Sequence, residues 1–202
     1  YADLYEVPKA RYKERMNRLM DFSGLAPFKN RLFRNLSGGM KQKVGLCCTL
    51  IHTPRILFLD EPTNGVDPVS RRDFWKILYE LKREQVTIVV ASTYLDEADR
   101  CHRVAFFDRG RIRMVEEPSR LRELLTDRLF NITVNDRRKA TAILRALPDV
   151  SDHYVFGAGI HLLLKDKADP ASVEAYLASE GLKEFRMEPV HPSLEDVYLS
   201  TL

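Results

Sequence analysis

The chain has 202 residues, 45% of them hydrophobic and 30% charged, with a formal net charge of +3. That apolar content is enough to bury a core, so one ordinary globular domain or two small ones is expected, and the charge is too balanced to argue for nucleic acid without a local basic stripe. No apolar run approaches the ~20 residues needed to cross a bilayer, and Tyr1-Ala2-Asp3 begins nothing like a signal peptide, so any membrane role has to come through a partner. Cys47, Cys48 and Cys101 have neither disulfide-framework nor zinc spacing, which fits a reducing cytosol.

From Lys9 to Phe22 the apolar positions Tyr12, Met16, Leu19 and Met20 recur at helical spacing, and Ser23-Gly24 supplies a stop. A second helix is expected from Met40 to about Ile51, opened by Ser37-Gly38-Gly39. Ile56 to Leu59 is an apolar strand that ends in Asp60 and Glu61. Phe74, Ile77, Leu78 and Leu81 form the stripe of a helix over Ser70–Glu84 that packs on one face. Val86 to Ala91 is a β-branched run with little alternation, as expected of a strand buried on both faces of a parallel sheet. Strand, helix and strand in this order predict a right-handed crossover.

Further on, Val104–Phe107 and Arg111–Val115 flank Asp108-Arg109-Gly110 as a hairpin. Arg109, Arg111 and Arg113 are the most suggestive basic run, but their alternate spacing reads as the solvent face of a strand. Pro118 to Leu125 is a closing helix. After about Thr126 the pattern changes to short elements in the order β-α-β-β-α-β, with Gly157-Ala158-Gly159 as the central turn, so a domain boundary is expected between residues 125 and 126. Ser193 to Asp196 has the form of a capping box that starts a last helix.

The stretches that carry chemistry lie in the first part. Two glycines before a helix let the backbone approach an anion, Ser37 can cap or donate, and unpaired helix-start amides carry partial positive charge. Taken alone, Ser-Gly-Gly before a helix is better read as a plain cap with a flexible turn. Asp60 and Glu61 sit at the carboxyl end of a strand, where open α/β sheets bind ligands, and successive side chains on a strand point apart, so the two carboxylates have different tasks. Asn64-Gly65-Val66-Asp67-Pro68 is built from strong turn formers. His52, His153, His161 and His191 are scattered without metal-ligand pairing and are assigned no chemistry.

Taken whole, Leu36-Ser37-Gly38-Gly39-Met40-Lys41-Gln42 and Ile56-Leu57-Phe58-Leu59-Asp60-Glu61-Pro62 resemble the signature motif and Walker B strand of an ATP-binding cassette (ABC) ATPase. The stretch through Tyr94-Leu95-Asp96-Glu97-Ala98, together with Cys101 and the closing Pro192-Ser193-Leu194-Glu195-Asp196-Val197-Tyr198, is most similar to ATPase subunits of ABC-2 type and drug exporters. The resemblance implies an α/β fold. Residues 1–125 would be a partial P-loop NTPase core with a helical signature subdomain, and residues 126–202 a small α+β, ferredoxin-like accessory domain. It implies ATP and Mg²⁺ as cofactors, with Asp60 supporting the metal, Glu61 polarising the attacking water, and Ser37, Gly38 and Gly39 contacting nucleotide held by a second subunit. Asp67 falls in the D-loop at the dimer seam, and Thr93 stands where a switch histidine is usual. A threonine hydroxyl can hydrogen-bond a γ-phosphate but offers neither the charge nor the proton of imidazole.

The implied partners are a second cassette ATPase and an integral membrane permease, which would place the chain at the cytoplasmic face of the membrane. No G-x-x-x-x-G-K-[ST] sequence occurs in the 202 residues. Isolated inactivity is therefore expected, with a longer subunit as the working ATPase, and the opening Tyr1-Ala2-Asp3-Leu4-Tyr5 is read the same way. The alternative is a non-catalytic regulatory module that pairs with another cassette.

Overall fold

The computed structural model describes residues 6–52, 54–182 and 184–202; Tyr1 to Tyr5, on which the reading of the opening rests, lie outside them. The chain forms two compact units, Tyr1–Thr93 and Tyr94–Leu202.

In the first unit α1 (Lys9–Phe22) ends at Ser23, and Gly24 follows with φ of 68°, a left-handed stop that suits glycine. Helix α2 spans Gly38–Leu50 and α3 spans Pro68–Arg83, each started by a side-chain cap. Strands β1 (Ile56–Asp60) and β2 (Thr87–Ala91) pair in parallel, with Ile56 opposite Thr87 and Asp60 opposite Ala91, and α3 forms the connection between them. The stripe read from the sequence holds: Phe74, Ile77, Leu78 and Leu81 are all buried, together with Trp75.

The expectation of a strand buried on both faces does not hold: in the β1–β2 sheet Leu57 is buried, whereas Ile56 is 52% exposed, Phe58 74% and Val89 45%. Side chains alternate across a strand, so Leu57 and its neighbours two residues away serve one face, and nothing among the described residues covers the other.

The second unit opens with the short α4 (Leu95–Ala98), the antiparallel hairpin β3 (Val104–Asp108) and β4 (Arg111–Glu116), and α5 (Pro118–Glu123). Arg111 and Arg113 are exposed, as a solvent face requires, and Arg113 pairs with Asp108. Then follow β5 (Leu129–Val134), α6 (Arg137–Ala146), β6 (Val150–Phe156), β7 (Gly159–Leu164), α7 (Pro170–Ser179), β8 (Phe185–Pro189) and α8 (Leu194–Ser200). The four strands make one antiparallel sheet in the order β6-β7-β5-β8.

Every residue of β7 is buried, because both faces of this sheet are covered. On one side Ile132, Ile160, Leu162 and Leu164 pack with Ala140 and Leu144 of α6 and Val173 and Leu177 of α7. On the other, Leu129 and Leu163 pack with Val104 and Phe106 of β3, Leu121 of α5 and Leu194 and Val197 of α8. Residues 94–125 thus share a core with the C-terminal elements, so the division between compact units lies upstream of the 125/126 change in pattern. Phe106 meets Tyr198 edge-on at 5.3 Å.

Candidate functional site

Two helix starts and two strand ends build the site in the first unit. Ser37 has extended backbone ahead of α2, and its Oγ accepts from the Met40 N–H at 3.3 Å. Asp67 does the same for α3, its Oδ1 accepting from the Ser70 N–H at 2.9 Å. Hydrogen bonds from Ser70, the main-chain one foremost, hold the Asp67 carboxyl below its usual range. Both residues are N-caps of ordinary geometry, as the bland reading allowed.

The glycines differ from one another. Gly38 is exposed, and a side chain added there would sit 3.5 Å from the Gly65 carbonyl oxygen. Gly39 is buried, and a Cβ there would fall 2.4 Å from the Ser70 Cβ and 2.6 Å from its Oγ. Gly39 therefore lets the first turn of α2 lie against the first turn of α3. Replacing it with alanine is expected to destabilise the unit by about 1–3 kcal/mol through overpacking. The double substitution Gly39→Ala with Ser70→Gly should recover most of that loss in urea unfolding.

At the strand ends, Asp60 is exposed, and its side chain has no hydrogen bond or ion pair to another described residue. Glu61 leaves the strand with φ of 44°, uncommon for a residue with a side chain. Its N–H extends the sheet by donating to the Ala91 carbonyl at 2.8 Å, and its carbonyl accepts from Asn64 N–H at 3.1 Å to close the turn. The side chain returns to the end of β2, where Oε1 accepts from the Thr93 N–H at 3.0 Å. Oε2 is buried with no hydrogen-bond partner among the described residues. A buried carboxylate oxygen left this way is costly unless a group from outside the chain meets it.

The predicted residues thus fall into three arrangements. Glu61 and Thr93 are joined directly, Ser37 and Asp67 cap α2 and α3, and Gly39 packs those helix starts together. Sequence reasoning missed the Thr93 main-chain donor, which no residue type signals, and Ser70, which has no motif. Asp60 could serve a hard cation such as Mg²⁺, which takes one or two carboxylates with water rather than a full protein cage. No group of three or more His, Cys, Asp or Glu residues that could hold a metal occurs among the described residues.

A family model described as ABC transporter matches residues 3–64, which include both the Ser37-Gly38-Gly39 segment and the Asp60-Glu61 pair. The whole chain also aligns over 204 residues, at 38% identity, with the probable multidrug ABC transporter ATP-binding protein YbhF of Escherichia coli, covering 35% of it. The chain belongs to the ATP-binding protein family of ABC transporters. Within that family it is similar to the daunorubicin/doxorubicin resistance ATP-binding protein DrrA of Streptomyces peucetius, at 35% identity over 148 residues, 71% of this chain and 45% of that one. Among solved structures, cbiO1 of Clostridium perfringens, part of the ABC transporter complex cbiONQ, superposes with a TM-score of 0.54 at 25% identity, over 69% of this chain and 52% of that one. The α/β fold of an ABC ATPase is therefore shared. The chain spans about a third of YbhF and under half of DrrA.

Proposed function

We propose that this chain is the signature, Walker B and switch portion of a transport ATPase whose ATP-driven dimer closure works a membrane permease for export. The observation that carries this reading is the Glu61 carboxylate, with one oxygen held by the Thr93 N–H and the other buried without a partner. A general base has to come within hydrogen-bond reach of the proton it takes, and Oε2 has no partner among the described residues to compete for it.

Asp60 would hold Mg²⁺, through water, beside a nucleotide whose phosphates sit in a loop outside these residues. The bound magnesium nucleotide supplies the γ-phosphoryl group and a cation that draws charge from it. Glu61 orients the attacking water and accepts its proton at Oε2. The Thr93 hydroxyl would donate to a phosphate oxygen. Ser37 and the main chain at Gly38 and Gly39 face nucleotide held by a second cassette, and Asp67 lies where a D-loop couples the two sites. Charge stabilisation and water positioning supply the rate, and closure of the pair transmits it.

In this reading residues 1–125 derive from the cassette ATPase, and residues 126–202 form a ferredoxin-like accessory domain. The partners are a second cassette and an integral permease, with no role for nucleic acid. No helix among the described residues is long and apolar enough to cross a membrane, so attachment at the cytoplasmic face comes through the permease.

Thr93 at the histidine position favours a second reading, a regulatory module that binds nucleotide with a partner and turns it over slowly or not at all. Mg²⁺-ATP turnover separates the two. The chain alone is expected to be inactive. Joined to a cassette half that carries a G-x-x-x-x-G-K-[ST] loop it should hydrolyse ATP, and Glu61→Gln should lower kcat by about 10²–10⁴-fold. Tight binding without turnover in the joined protein selects the regulatory module instead.

A further inference from the structure

We infer that residue 93 acts as a positioning residue through its main-chain N–H, which pins Oε1 of Glu61 and leaves Oε2 as the working oxygen. This inference rests on Glu61 being the base proposed above.

Two attachments tie Glu61 to the end of β2. Its own N–H donates to the Ala91 carbonyl at 2.8 Å. Two residues further along β2's exit, the Thr93 N–H donates to its side chain at 3.0 Å. The left-handed backbone at Glu61, φ 44°, accompanies this return of the side chain toward the neighbouring strand end. A glutamate carboxylate has about four lone-pair sites on two oxygens and flexible torsions that would otherwise disperse it. One charge-assisted bond from a main-chain donor removes much of that freedom, and the donor's place is set by β2 rather than by a side chain.

The consequence concerns the departure from the family pattern at this position. An imidazole is absent at residue 93, but the link between Glu61 and the switch segment does not depend on any side chain there. Any residue except proline presents the same donor, so a threonine can stand at this position without releasing the carboxylate. Glu61 and the segment after β2 then move as one, and a shift of β2's end would displace the base.

Amide hydrogen exchange on the chain itself tests this without nucleotide. The residue-93 amide should be protected in the unsubstituted chain, and Glu61→Ala should speed its exchange about tenfold or more. Thr93→Ala should keep the protection. Equal exchange in the unsubstituted chain and Glu61→Ala, or protection lost in Thr93→Ala, overturns the inference.

In the protein joined to the phosphate-loop half, Thr93→Pro removes the donor. It should lower kcat about 10²-fold, the scale of a 1 Å misplacement, with KM for Mg²⁺-ATP within about twofold. An unchanged kcat overturns the positioning role, and if that variant does not fold the exchange measurements decide. If Glu61→Gln leaves turnover intact in the same protein, the catalytic reading of Glu61 fails while the exchange result still reports the contact.

Discussion

Asp196→Ala is expected to destabilise the second unit by about 3 kcal/mol or more, because it removes one carboxylate that serves four buried or half-buried donors. Asp196 is 1% exposed. Its Oδ1 accepts from the Tyr154 hydroxyl of β6 at 2.6 Å and from His161 Nδ1–H of β7 at 2.6 Å. Its Oδ2 accepts from the Ser193 N–H at 2.7 Å and the Ser193 Oγ–H at 2.5 Å, while the Asp196 N–H donates back to Ser193 Oγ. One side chain thus completes the capping box of α8 and fastens that helix to two strands of the sheet. His161 is further fixed by stacking on Phe156 at 4.2 Å.

The same cluster sets a pH dependence. Burial pushes the Asp196 carboxyl up, but the hydrogen bonds from Ser193, Tyr154 and His161 together outweigh it, and the net shift is downward. For Tyr154, burial and the bond to Asp196 both push the phenol up, so it stays a donor through neutral pH. A carboxylate depressed in the folded state contributes stability that is fully present above its unfolded pKa of about 3.9 and is lost as pH falls through the folded value. The difference between the unsubstituted chain and Asp196→Ala in urea unfolding should therefore be constant near neutrality and shrink below about pH 4. A gap that persists unchanged at pH 2–3 would show that the aspartate acts through packing rather than charge.

Ile132→Ala is the second large effect, expected at about 3 kcal/mol within the usual 2–5 kcal/mol range for such truncations. Ile132 is fully buried on β5, which pairs with β7 on one side and β8 on the other. Its side chain belongs to the cluster with Leu144, Leu162 and Leu177, so the lost methyl groups leave a cavity that a strand paired on both edges cannot collapse. Val155→Ala on β6, where the side chain is exposed, should change stability by no more than about 0.5 kcal/mol. Comparable losses at the two positions in thermal or urea unfolding would overturn the assignment of β5 to the centre of the core.

Local signals made much of this chain legible. The apolar spacing of Phe74, Ile77, Leu78 and Leu81 matched the buried face of α3, and the Ser193–Asp196 pattern matched a complete capping box. Those features depend on residues within one or two turns of each other, so order along the chain is sufficient. The motif strings Leu36–Gln42 and Ile56–Pro62 likewise identified the family, because their residue types and spacing reflect fixed chemistry.

Other features depend on residues far apart in sequence. Val86 to Ala91 reads as doubly buried because both faces are apolar, yet coverage depends on what packs there, and one face of the sheet is open. Gly39 reads as a phosphate-approach glycine, and only its contact with Ser70, thirty-one positions later, shows a packing role. His161 carried no pattern at all, since its partner Asp196 lies on another element 35 residues away.

By itself, then, the sequence determined the periodic elements and helix caps, which arise from short-range sterics and hydrogen bonding, and the family-bearing strings, whose residue types reflect fixed chemistry. Only the tertiary structure decided that Glu61 is held by a main-chain donor at residue 93, that α2 and α3 touch at Gly39, and that Asp196 joins α8 to two strands. Each of these is a contact between distant residues, and side-chain identity does not record where a backbone N–H or a neighbouring helix will lie once the chain has folded.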